Sequence, residues 1–268
     1  MRAGPFTTSS ILDEAVDVVR RLPGSAVAIP ILCSLPLRFL QIAFVRELFM
    51  LKGEAAHYRT SLTILASWII AALLLSSWGR VVFARACRIG DGARLRDSMR
   101  VPLAALLDFV IISLLMEILI WIASFTIVAP VLATIVTGVA IGAIEQFRRP
   151  GVIEPLRVVS RHLRHTRVLI GIFLTMLTGA IVALANLYFA FRLLLMIAGA
   201  FSLLDLQVWS GLLSPANGHF VSLVGAGAIL AAEPFWICAN VVFVRRAGSA
   251  QSGEDLTLWF QQLREQNS

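Results

Sequence analysis

Residues 60–79 read TSLTILASWIIAALLLSSWG, twenty consecutive positions without a charged side chain. At about 1.5 Å of rise per residue, a helix of that length matches the roughly 30 Å hydrocarbon core of a bilayer. The rest of the chain agrees with this reading. Of its 268 residues, 58% are hydrophobic and 15% charged, whereas soluble domains run near one half and one quarter. An ordinary soluble domain, a disordered chain, a collagen and a disulfide scaffold are all excluded. The three cysteines, Cys33, Cys87 and Cys238, lie far apart in or at the end of apolar stretches. They read as small apolar residues.

Working outward from residues 60–79 gives an all-α polytopic bundle of about six spans, near 25–45, 60–83, 101–122, 125–144, 168–191 and 220–244. The first is interrupted by Pro30, Pro36 and Arg38 and is expected to be kinked. The second is expected to continue past Arg80, with its arginines reaching back to the headgroups. The apolar run from Val101 to Ile144 is too long for one helix and is split near Ser124 into a tight hairpin. A further apolar stretch, Leu193 to Leu204, reads as a re-entrant or interfacial helix.

The cations test this division. Lys and Arg number 23 against 16 Asp and Glu, and all but Lys52 are arginine. With six spans, one side collects Arg2, Arg20, Arg21, the arginines from Arg80 to Arg100 and from Arg148 to Arg167, and those after Val244. The other side holds only Arg46, Lys52, Arg59 and Arg192. Cytoplasmic loops carry the positive excess, so both termini are expected in the cytoplasm and the arginines against anionic lipid. No aromatic-interleaved basic patch or zinc spacing accompanies the charge, and nucleic-acid binding is not expected. Met1 to Ser10 lacks the apolar core of a cleaved signal peptide.

Three amphipathic segments flank the spans. In residues 1–24, Ile11, Leu12, Ala15, Val18, Val19 and Leu22 follow the helical period, with Ser10 and Asp13 in capping-box spacing. This surface helix overlays Val152 to Leu163 without a gap, and a shorter basic segment, Gly92 to Arg100, precedes the middle hairpin. The chain therefore reads as three units of surface helix plus hairpin, in parallel rather than inverted arrangement. The tail, 245–268, carries a Gly/Ser/Ala turn and then Leu256, Trp259, Phe260 and Leu263 at helical spacing. That stripe is a candidate docking helix for a partner or for the chain itself.

Polar residues inside spans are costly, about 2.5 to 3.5 kcal/mol each on insertion scales, and should face protein, water or a partner. The candidate intramembrane site comprises Glu117, Glu233, Pro234, Asn186, Arg38 and Asp108. Asp108 lies nine residues before Glu117, on nearly the opposite helix face, and close enough to the basic side to meet Arg100. Glu233-Pro234 is the most informative pair. The proline should free the carbonyl near Leu230, and the acid beside it can form a polar pocket or pair with Arg38, Asn186 or Asn240.

No Gly-x-Ser-x-Gly elbow, His-Glu-x-x-His helix or phosphate-cradling loop occurs. His162 and His165 have ligand spacing but stand among Arg161, Arg164 and Arg167, so no metal and no cofactor are expected.

The second half resembles uncharacterised bacterial inner-membrane proteins similar to the glycerophosphoryl diester phosphodiesterase membrane-domain family. The resemblance rests on Asn186-Leu187, Ser214-Pro215-Ala216-Asn217, Glu233-Pro234 and Ser252-Gly253-Glu254-Asp255-Leu256, together with the N-terminal amphipathic helix and kinked span. Relatives more often carry Asp before the proline and more tyrosine where this chain has Val241 to Val244. The phosphodiesterase chemistry of that family belongs to a separate soluble domain, so the resemblance implies a multi-helix membrane module and supplies no catalytic residues.

The expected function is that of a non-enzymatic membrane subunit or scaffold of an envelope assembly, associating with lipids and a protein partner through its cytoplasmic helices, with homo-oligomerisation open. The alternative is a small-solute, ion or lipid transporter with a polar path near Glu117 and Glu233.

Overall fold

The fold is taken from a computed structural model that describes residues 7–49, 55–89, 98–122, 126, 128–147, 153–201, 211, 214 and 217–252. It is all-helical among these residues: α1 (Thr8–Arg21), α2 (Gly24–Phe49), α3 (Ala55–Ile89), α4 (Leu103–Ile122), α5 (Val128–Gly142), α6 (Ile153–His162), α7 (Thr166–Ala200) and α8 (Gly218–Ser252). Among the described residues, five stretches are long and apolar enough to cross a membrane: Gly24–Phe44, Thr63–Ile89, Leu103–Ile120, Pro155–Ala200 and Phe220–Ser249.

The fourth expected span departs from this length. Helix α5 has 15 residues, about 22 Å at the standard rise, short of the core thickness. It nevertheless brings the chain back to the end it left. Glu145, in the 3₁₀ turn just beyond α5, lies 2.9 Å from Arg88 Nε and 3.8 Å from Arg85 Nε. Arg85 also donates to the backbone carbonyl of Arg100, ahead of α4. The ends of α3 and α5 and the start of α4 thus meet at one basic end.

Helix α8 is the centre of the bundle and packs against α1, α2, α3, α5 and α7. From Ile237 to Val244 it is buried on all sides, with Phe83 of α3, Phe109 of α4 and Ile141 of α5 in the same core. Lipid tails are as apolar as these side chains, so burial alone does not favour helix association; close packing and polar contacts must supply it. The approach of α5 is set by Gly138 and Gly142, where an added Cβ would come within 2.7 Å and 2.5 Å of Asn240.

Helix α1 is capped by Thr7, whose side chain accepts from the Ser10 N–H while Ser10 bonds back to Thr7. The box therefore lies one turn before the expected Ser10 and Asp13 pair. Its apolar stripe is spent inside the protein: Ile11, Ala15, Val19 and Leu22 are buried. Glu14 pairs with both Arg245 and Arg246 of α8, with Arg246 Nε 2.6 Å from Oε2, and Arg246 also reaches Ser10. The expected helix lying free in the interface is instead a plug on the basic end of the bundle.

Helix α6 occupies the expected second surface position and buries Pro155, Val158, Val159 and His162. The gapless overlay on α1 does not survive this burial pattern, because buried Ala15 and Val19 fall on exposed Leu156 and Ser160. Most of the third expected surface segment, Gly92 to Arg100, lies outside the described residues.

Two further boundaries differ. Helix α7 continues unbroken to Ala200, so residues 193–200 extend the fifth span rather than forming a separate re-entrant helix. Helix α8 runs through Arg245 and Arg246 to Ser252, in place of the expected turn. The docking stripe Leu256, Trp259, Phe260 and Leu263 lies outside the described residues.

Candidate functional site

Glu233 sits midway along the apolar stretch Phe220–Ser249 of α8 and is 4% exposed. Its Oε1 accepts two hydrogen bonds, from Arg80 Nε of α3 at 2.6 Å and from Ser34 Oγ of α2 at 2.8 Å. Ser34 Oγ is also 2.8 Å from Ser76 Oγ, one turn before Arg80. Three helices are joined at one carboxylate oxygen. The closeness of α2 and α3 depends on Gly79, where an added Cβ would lie 2.5 Å from Cys33 Cβ.

Arg80 does not reach the headgroups as the sequence leads one to expect. It is 5% exposed and forms an ion pair inside the bundle, because its side chain finds Glu233 directly across from it. Glu233 thus pairs with Arg80 rather than with Arg38, Asn186 or Asn240. Asn240 donates back to the Trp236 carbonyl at 2.8 Å and packs on α5. Asn186 is exposed on α7 and lies outside the site. Pro234 is buried within a helix that continues past it.

Beside the ion pair opens a pocket of about 460 Å³ contributed by α2, α3, α4, α5, α7 and α8. Its polar lining is Arg38, Gln41, Arg80, Ser113, Glu117, Thr134, Thr137 and Glu233, and its apolar wall includes Met116, Phe173, Met176, Leu177, Ile229 and Trp236. Arg38 donates to Gln41 Oε1 at 2.9 Å and lies in the field of Arg80, Glu233 and Glu117. Of the sequence-predicted set, Arg38, Glu117 and Glu233 come together. Asp108 is buried elsewhere on α4, as the opposite-face argument requires.

Among the described residues, several polar atoms of this site are left without a hydrogen-bond partner: Glu233 Oε2, Arg38 Nε and Ser113 Oγ. Buried polar groups are overwhelmingly paired in folded proteins, and leaving one unpaired costs about 1 to 3 kcal/mol, more when it is charged.

A second, largely apolar pocket of about 390 Å³ lies between α2, α3 and α4 and is lined by Leu37, Phe44, Ile69, Ile70, Leu73, Leu114 and Ile118. Gln41 and Glu117 line both pockets, so the two adjoin.

His162 and His165 are each held by contacts within the protein. His162 Nδ1 is 2.9 Å from the Val158 carbonyl, and both His162 and His165 stand edge-on to Phe243. No cluster of three or more His, Cys, Asp or Glu suited to a metal occurs among the described residues.

No protein-family model, curated protein or solved structure matches the chain. The site therefore rests on its own geometry.

Sequence reasoning misses Arg80, Ser34 and Ser113. The available signal is Ser76 and Gly79, one turn and one residue before the first arginine after the uncharged run 60–79. Small and hydroxyl residues there mark a face that packs against protein.

Proposed function

We propose that this chain is a non-enzymatic multi-pass protein of a bacterial inner membrane, with both termini cytoplasmic, that carries an amphiphilic solute through the pocket between Arg38, Glu117 and the Arg80–Glu233 pair. One observation supports this most: two guanidiniums and two carboxylates, Arg38, Arg80, Glu117 and Glu233, are among the residues lining a largely apolar pocket midway along α8. Its volume falls within the roughly 300 to 1,000 Å³ usual for ligand sites. Carriers place their sites near the bilayer midplane, where ionisable residues are retained for a path rather than for packing.

The scaffold reading draws on the surface helices and the tail. The apolar face of α1 is buried within the chain, which leaves it little to offer a partner, and the tail stripe lies outside the described residues.

A carrier pocket must open to water in some state. Thr137→Cys, placed in a Cys33→Ala background, should react with a small water-soluble thiosulfonate in intact membranes, and Ala180→Trp at the pocket wall should suppress the reaction. Absence of reaction in the Thr137→Cys variant under all solute conditions would count against the carrier.

A further inference from the structure

The charge balance of the pocket specifies its ligand more narrowly than the word amphiphile. Two guanidiniums, Arg38 and Arg80, face two carboxylates, Glu117 and Glu233, so the lining has no net formal charge. One cation and one carboxylate oxygen are used up in the 2.6 Å contact between Arg80 and Glu233. What remains in the lining is one carboxylate, Glu117, and one guanidinium, Arg38, which also donates to Gln41 Oε1 at 2.9 Å.

A wholly apolar ligand would give Arg38 and Glu117 no charged partner. A net anion would find Arg38 but also face Glu117, and a net cation would find Glu117 but also face Arg38. Either would also carry an uncompensated charge into a low-dielectric site, where its lost hydration is not repaid. A ligand bearing both an ammonium and an acidic group satisfies both sides and brings no net charge.

Resting on the carrier reading above, we infer that the pocket takes a zwitterionic amphiphile, its ammonium toward Glu117 and its anionic group toward Arg38, with its apolar chain in the adjoining pocket of α2, α3 and α4. The second pocket supports the chain placement, since Gln41 and Glu117 border both spaces and the remainder of its lining is apolar. The same headgroup chemistry occurs in a bilayer phospholipid and in a soluble amino-phosphate.

The test uses the full-length protein in detergent micelles, supplied with an equal mixture of dioleoyl phosphatidylethanolamine and dioleoyl phosphatidylglycerol, and separately with free phosphoethanolamine. Bound adducts are counted by native mass spectrometry. The expected result is about tenfold enrichment of the phosphatidylethanolamine adduct over phosphatidylglycerol, with the enrichment abolished in Glu117→Gln and in Arg38→Gln. Because Glu117 makes no close ion pair among the described residues, Glu117→Gln should keep the wild-type melting temperature. Phosphoethanolamine adducts without lipid adducts would keep the zwitterion but overturn the placement of a chain. Equal or greater retention of phosphatidylglycerol, or enrichment unchanged in both variants, would overturn the zwitterion while leaving an amphiphile pocket. Absence of any adduct would overturn the carrier reading itself.

Discussion

Arg80 Nε lies 2.6 Å from Glu233 Oε1, although 153 residues separate them and both side chains are buried in the middle of the bundle. Removing one member of such a pair strands a charge, whereas replacing both with apolar residues of similar volume is often nearly neutral. Arg80→Met and Glu233→Leu should each destabilise the protein by about 3 to 5 kcal/mol, and the double variant should recover most of that loss. Thermal unfolding in one detergent measures this; additive losses would show that the pair contributes through something other than mutual charge.

Gly79 admits α2 to α3, and a Cβ there would stand 2.5 Å from Cys33 Cβ. Gly79→Ala should push the helices apart, break the Ser34 to Ser76 and Ser34 to Glu233 hydrogen bonds, and cost about 1 to 3 kcal/mol, as overpacking does. Gly179→Ala, where nothing lies within 4 Å of the added carbon, is the matched control and should be neutral or slightly stabilising. Equal melting temperatures for the two variants would contradict the close approach.

How far the sequence reveals this arrangement depends on the kind of helix. The spans are legible because a bilayer demands long uncharged runs, and five of the six appear near their expected positions. Glu233 stands out because an ionisable residue inside such a run needs a partner. Which partner is not legible. An amphipathic helix declares its buried side through its apolar stripe, as α1 does at Ile11, Ala15 and Val19. Helices α7 and α8 are apolar all round, so nothing in their periodicity says that Asn186 faces outward while Asn240 faces in. Arg80 is hard to read for a related reason. An arginine near the end of a span can reach the headgroups or turn inward, and only the position of Ser34 and Glu233 on other helices decides.

The Glu14 contacts with Arg245 and Arg246 hold α1 to the end of α8. Charge-assisted hydrogen bonds in partly buried sites are worth about 1.5 to 3 kcal/mol. Glu14→Gln should therefore loosen α1 locally, with faster amide exchange over residues 8–21 and little change in the melting temperature of the bundle. Exchange confined to wild-type rates would mean that the buried Ile11, Ala15 and Val19 hold the helix alone.

Topology has its own test. Arg20 and Arg164 are exposed near the basic end, and Gly218 is exposed at the opposite end of α8. In a Cys33→Ala background, Arg20→Cys and Arg164→Cys should be labelled by an impermeant maleimide from the same face of the membrane, and Gly218→Cys from the other. Labelling of Arg20→Cys and Arg164→Cys from opposite faces would contradict the return of the chain through α5.

The most direct measurement is the intact mass of the particle extracted with its own lipids into a polymer disc, for wild type and for Ala180→Trp at the pocket wall. The prediction is one small-molecule adduct of constant mass on the wild-type chain, lost in Ala180→Trp with the melting temperature unchanged. A bare wild-type chain, or the same adduct on both proteins, would contradict a ligand in this pocket, and a stoichiometric second protein on a bare chain would return the function to a partner.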